Sequence, residues 1–110
     1  MARALSLSIC RVPAELETEY LATIRELARH ARRRGQHLWA FRSRNQPHTF
    51  VECSESASAA LHRTVVEKST EEAQLERRLR TLAQYEASAW DLWEEVPLEP
   101  GPGGVAAGGA

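Results

Sequence analysis

The sequence predicts an α+β fold: a four-stranded antiparallel sheet with helices packed on one face. Three observations predict it. Residues 4–12 alternate in polarity, residues 14–34 carry an apolar stripe at three- and four-residue spacing, and residues 36–55, QHLWAFRSRNQPHTFVECSE, read as two strands folded back around a polar turn. Sheet, helix and hairpin therefore follow one another in the first half of the chain.

In the opening strand Leu5, Leu7 and Ile9 point one way and Ser6, Ser8 and Cys10 the other, with Pro13 closing the run. The helix from about Ala14 to Arg34 is carried by Leu16, Tyr20, Ile24, Leu27 and Ala31. Glu15, Glu17 and Glu19 near its start and Arg32, Arg33 and Arg34 near its end suit the helix dipole, and Gly35 suits the C-terminal cap. A hairpin turn centred between Asn45 and Gln46 would put Phe41 opposite Phe50, Trp39 opposite Glu52 and His37 opposite Ser54 on one face. Leu38, Ala40, Val51 and Cys53 would then form the other.

Ser56-Ala57-Ser58 introduces a short helix to about Val66, anchored by Leu61 and Val65. A second capping signal follows at Ser69-Thr70-Glu71-Glu72, and Leu75, Leu79 and Leu82 extend it into a helix ending near Tyr85 to Ser88. Residues 89–98, AWDLWEEVPL, are expected to form the last strand, with Trp90 and Trp93 on opposite faces, the alternative being a short helical extension through the two tryptophans. The order strand, helix, strand, strand, helices, strand is the split βαβ, or ferredoxin-like, arrangement. The folded domain is assigned to 3–98, and the Gly/Pro/Ala-rich 99–110 to a disordered tail.

At 110 residues the chain makes one small domain, and 43% hydrophobic with 26% charged residues is ordinary for a globular protein. A net charge of -1 argues against a nucleic-acid or membrane-surface binder. The N-terminal apolar run is short and ends at Arg11, so neither a signal peptide nor a membrane span is expected. Cys10 and Cys53 lie in separate strands without a CxxC pair, which favours reduced core thiols in the cytoplasm over a zinc or redox motif. Both faces of the hairpin look apolar enough to need cover. Helices can cover one; a second copy of the chain is the economical cover for the other, so a homodimer is expected.

On the element order, the opening strand ending at Val12-Pro13, HLWAFRS followed by TFVECSE, and the closing WEEVPL, residues 3–98 resemble the dimeric α/β-barrel proteins, and within them the antibiotic-biosynthesis-monooxygenase-like group. The resemblance implies a homodimer with face-to-face sheets and a cleft between sheet and helices in each subunit. It also implies a range of activities: cofactor-free oxygenases of polycyclic aromatics, haem-degrading enzymes, small isomerases and proteins without an assigned activity.

The strongest candidate constellation is Glu52, His37 and Trp39. In a cofactor-free oxygenase the protein binds an aromatic or quinone-like molecule, removes a proton and stabilises the anion, and the substrate itself supplies electrons to oxygen. Glu52 or His37 would be the base, because a carboxylate beside an indole in a dry pocket has a raised pKa. Trp39, Phe41, Phe50 and Trp93 would line the substrate site, with Arg42 or Arg11 as the anion's partner; no metal, flavin or other cofactor is required. The competing reading makes Glu52 an ion-pair partner at a dimer seam and Trp39 core packing, in a non-catalytic binding or assembly module. A haem reading needs an axial histidine, with His62 best placed among His30, His48 and His62. The haem-degrading relatives also use an asparagine on the first strand, whereas the only asparagine here is Asn45 in the turn. The run from Arg29 to Arg34 reads as a solvated helix end, and no glycine-rich phosphate loop is present.

Overall fold

The computed structural model describes residues 3–56, 69–89 and 91–98. Strand β1 spans Ala4–Arg11 and leads through a 3-10 turn, Ala14–Leu16, into helix α1, Glu17–Arg33. Strands β2, His37–Arg42, and β3, Thr49–Ser56, form the hairpin. Helix α2, Thr70–Leu82, precedes two short strands, β4 at Gln84–Tyr85 and β5 at Leu92–Glu94. The sheet is antiparallel and open, in the order β2-β3-β1-β4, with β5 pairing the other end of β1. This is the ferredoxin-like α+β arrangement that the element order implied.

Tyr20, Ile24, Leu27 and Ala31 are buried along α1, as their spacing predicts. With Cys10, Val12, Phe50, Leu79 and Ala83 they form the core between sheet and helices, and each large apolar side chain sequestered there contributes about 1.5–3 kcal/mol. Gly35 ends α1 at φ 75°, a conformation in which a Cβ would be strained. Ser69 caps α2 by accepting a hydrogen bond from the Glu72 amide. The Arg34 guanidinium pairs with the buried Glu72 carboxylate and donates to Gln36 Oε1 at 2.9 Å, tying the end of α1, the approach to β2 and the first turn of α2 together.

Two element boundaries differ from the sequence reading. The second helix stops at Leu82, where the Ala83 amide bonds Leu79 O and the backbone turns extended, so that Tyr85 enters the sheet opposite Cys10. The last strand is reduced to Leu92–Glu94, and an excursion separates it from β4, with Ser8 Oγ donating to Ala89 O at 2.5 Å. Ser56, where a helix was expected to begin, is the last residue of β3, and the rest of that helix to Val66, the face of Trp90 and the 99–110 tail lie outside the described residues. No helix among the described residues is long and apolar enough to cross a membrane.

The larger correction concerns register. The hairpin is centred on Gln46, not between Asn45 and Gln46, so Ala40 lies opposite Glu52, Trp39 opposite Cys53 and Arg42 opposite Phe50. A shift of one residue exchanges faces. Glu52 therefore shares the helix-covered face with Leu38, Ala40, Phe50 and, across β1, Ser8 and Cys10. His37, Trp39, Phe41, Val51 and Cys53 share the open face with Leu5, Leu7 and Ile9.

Candidate functional site

Glu52 is a charged residue in the middle of the covered face, only 8% exposed. Three elements converge on it. The α1 stripe brings Tyr20 down onto β3, and its hydroxyl donates to Glu52 Oε2 at 2.8 Å. Strand β4 brings Tyr85, whose hydroxyl donates to the same oxygen at 2.6 Å. Between them on β1, the Cys10 thiol lies 3.7 Å from Oε2 and 3.5 Å from the Tyr20 hydroxyl. Both phenols and the thiol converge on Oε2, whereas Oε1 receives no hydrogen bond among the described residues. No arginine, lysine or histidine among the described residues pairs with this carboxylate.

Burial raises the Glu52 pKa above the ordinary 4.5, and the hydrogen bonds from Tyr85, Tyr20 and Cys10 oppose that rise. The Cys10 thiol is pushed up to about 12, chiefly by burial. Both phenols are driven well above the usual tyrosine range, first by burial and then by the Glu52 charge. Thiol and phenols thus remain donors at neutral pH. The arrangement is a buried carboxyl group with one oxygen fixed by two hydroxyls and the other able to take or give a proton.

The structure separates the residues the sequence had grouped. Phe50, 2% exposed, packs against Tyr20 with ring centroids 5.0 Å apart. Arg42 lies over the Phe50 ring at 5.3 Å and pairs with Glu17, so it is committed at the edge of the covered face and is not bonded to Glu52. His37 and Trp39 stack at 5.2 Å, but on the open face. They are separated from Glu52 by the sheet itself. Phe41 and Trp93 are 56% and 55% exposed on that same open side. His30 approaches Glu71 at 3.9 Å, His48 lies in the hairpin turn, and His62 falls outside the described residues.

Tyr20, Tyr85 and Cys10 were not singled out from sequence. Tyr20 carried a signal: a phenol inside an otherwise aliphatic stripe needs a buried hydrogen-bond partner. Cys10 and Tyr85 carried none, because their meeting depends on the helix ending at Leu82.

No protein-family model and no curated protein matches the chain. Solved structures do. SnoaB, a cofactor-independent oxygenase from Streptomyces nogalater, superposes with a TM-score of 0.68 over 93% of this chain and 99% of its own, at 12% identity. The fold is that of the antibiotic biosynthesis monooxygenase-like proteins. Two Bacteroides thetaiotaomicron structures share this monooxygenase-like fold: a protein described as a possible oxidoreductase, with TM-score 0.67, 18% identity and coverage of 86% and 96%, and a candidate antibiotic biosynthesis monooxygenase, with TM-score 0.64, 20% identity and coverage of 91% and 93%. At these identities the likeness establishes architecture and leaves the chemistry to the side chains.

Proposed function

We propose that this protein is a cofactor-independent, monooxygenase-like enzyme that binds a small aromatic or quinol-like molecule on the covered side of the sheet, with Glu52 as the proton acceptor. The observation that carries the reading is the asymmetry of the Glu52 carboxylate: Oε2 is held by Tyr20 and Tyr85, and Oε1 has no donor among the described residues. Among the described residues, Glu52 is the one acid at this site and has no paired cation. Deprotonating an activated methylene or hydroxyl moves the negative charge from Glu52 to the substrate without creating a second one, so the transfer adds little electrostatic cost. The carbanion or enolate then reduces dioxygen; for a methylene, one oxygen atom becomes the product carbonyl and the other leaves as water. Phe50 and Tyr20 furnish aromatic walls.

The protein is further proposed to act as a cytoplasmic homodimer through its open face, where Ile9, Trp39, Phe41 and Trp93 stand exposed together. His37, Trp39 and Trp93 then serve assembly, not proton transfer. A non-catalytic dimeric binding module is the second reading, favoured by how little of Glu52 reaches the surface. Oxygen uptake with anthrone- or quinol-type substrates separates the two: Glu52→Gln is expected to lower the rate about a hundredfold or more, and Trp39→Phe to leave it nearly unchanged. Equal rates for wild type and Glu52→Gln would remove Glu52 as the base.

A further inference from the structure

We infer that a second cleft, at the end of the sheet where β1 meets the hairpin turn and the last turn of α2, binds the carboxylate of a small apolar acid. The cleft has a volume of about 440 Å³, within the size range of ligand pockets. Arg11, Arg80 and His48 line it, and among the described residues no aspartate or glutamate does. The last turn of α2 brings partial negative charge to one wall, which Arg80 within that turn offsets. Val12, Pro13 and Leu16 supply an apolar surface beside the basic groups.

Arg11 carries a charge that no neighbouring acid among the described residues neutralises. Arg3, Arg29, Arg34, Arg42 and Arg78 each pair with a glutamate, whereas Arg11, exposed as the last residue of β1, has no ion-pair partner among the described residues. His48 has the one positive φ of any non-glycine residue described, 59°, and its carbonyl accepts a hydrogen bond from the Val12 amide at 2.8 Å. That bond helps hold an uncommon backbone conformation and fixes the imidazole's attachment at the cleft rim. A planar guanidinium fork matches a carboxylate, and the imidazole adds a further donor. The adjoining apolar wall takes the body of the ligand.

Glu52 does not line this cleft, so acid binding here holds whether or not Glu52 acts as a base. The probe is 2-naphthoate, compared with its neutral isostere 2-naphthamide and followed by NMR on the Arg11 side-chain and His48 ring signals of the full chain. The acid is expected to bind saturably and about tenfold or more tighter than the amide. Arg11→Gln, a change at an exposed position, should abolish that preference. His48→Gly should reduce it without unfolding the protein, because glycine adopts a positive φ freely. Equal binding of acid and amide to the wild type, an undiminished preference in Arg11→Gln, or shifts confined to Tyr20 and Tyr85 would each overturn the assignment.

Discussion

The two faces of the sheet are built on opposite principles. The covered face presents small and polar strand residues, Ala4, Ser8, Cys10 and Glu52, and obtains its bulk from Phe50 and from Tyr20, Ile24 and Leu27 above it. On the open face the strands carry the bulk themselves, in Leu5, Leu7, Ile9, Trp39, Phe41 and Val51, and no described helix covers them. A face of small residues leaves room for a helix and a buried acid, whereas a face of large ones offers area to another flat surface. The contrast teaches that the more hydrophobic side of a strand need not be the inside of its own subunit.

Substituting one phenylalanine on each face tests the contrast most severely. Phe50→Ala should cost about 3–5 kcal/mol of unfolding free energy, as truncation of a core aromatic does, while Phe41→Ala should stay within about 1 kcal/mol in the monomer. Chemical denaturation at low protein concentration measures both, and equal losses would mean that the faces are not distinct. Trp39→Lys acts next. It should weaken self-association about thirtyfold or more, seen as a monomer shift in sedimentation, and leave the far-UV spectrum unchanged.

A smaller effect comes from pH. Because burial holds the Glu52 pKa above 4.5, the native state binds a proton more readily than the unfolded chain. Its contribution to stability is therefore complete below about pH 4.5 and is lost as pH rises through the native-state value. Glu52→Gln lacks this titration, so its stability relative to wild type should increase above pH 4.5 and then level off. A difference constant with pH would place Glu52 in water. The smallest distinction is between the thiols: in a monomeric variant, half-buried Cys53 on the open face should react with a disulfide reagent, while Cys10, fully buried and pushed up to about 12, should wait for unfolding.

Much of the architecture was legible because it depends on local signals. The α1 stripe, the Gly35 turn and the Ser69 cap are decided within a few residues of chain, and element order then limits the topology. The parity of the hairpin was not. SRNQPH contains no Asn-Gly or Asp-Gly pair to demand a two-residue turn, and a loop closed by the Ser43 amide on Thr49 O and by positive-φ His48 accommodates an odd number of residues. That single residue moved Glu52 away from Trp39 and His37. The candidate site was thus legible in its acid and not in its surroundings, since Tyr20 and Tyr85 reach Glu52 only once helix packing and the end of α2 are fixed.

The buried carboxyl on the covered face is tested most directly by following the Glu52 side-chain carboxyl through a pH titration by 13C NMR, with Glu52→Gln to assign the signal. Its midpoint should stand clearly above those of the exposed glutamates. A midpoint among theirs, near 4.5, would contradict the burial of this acid.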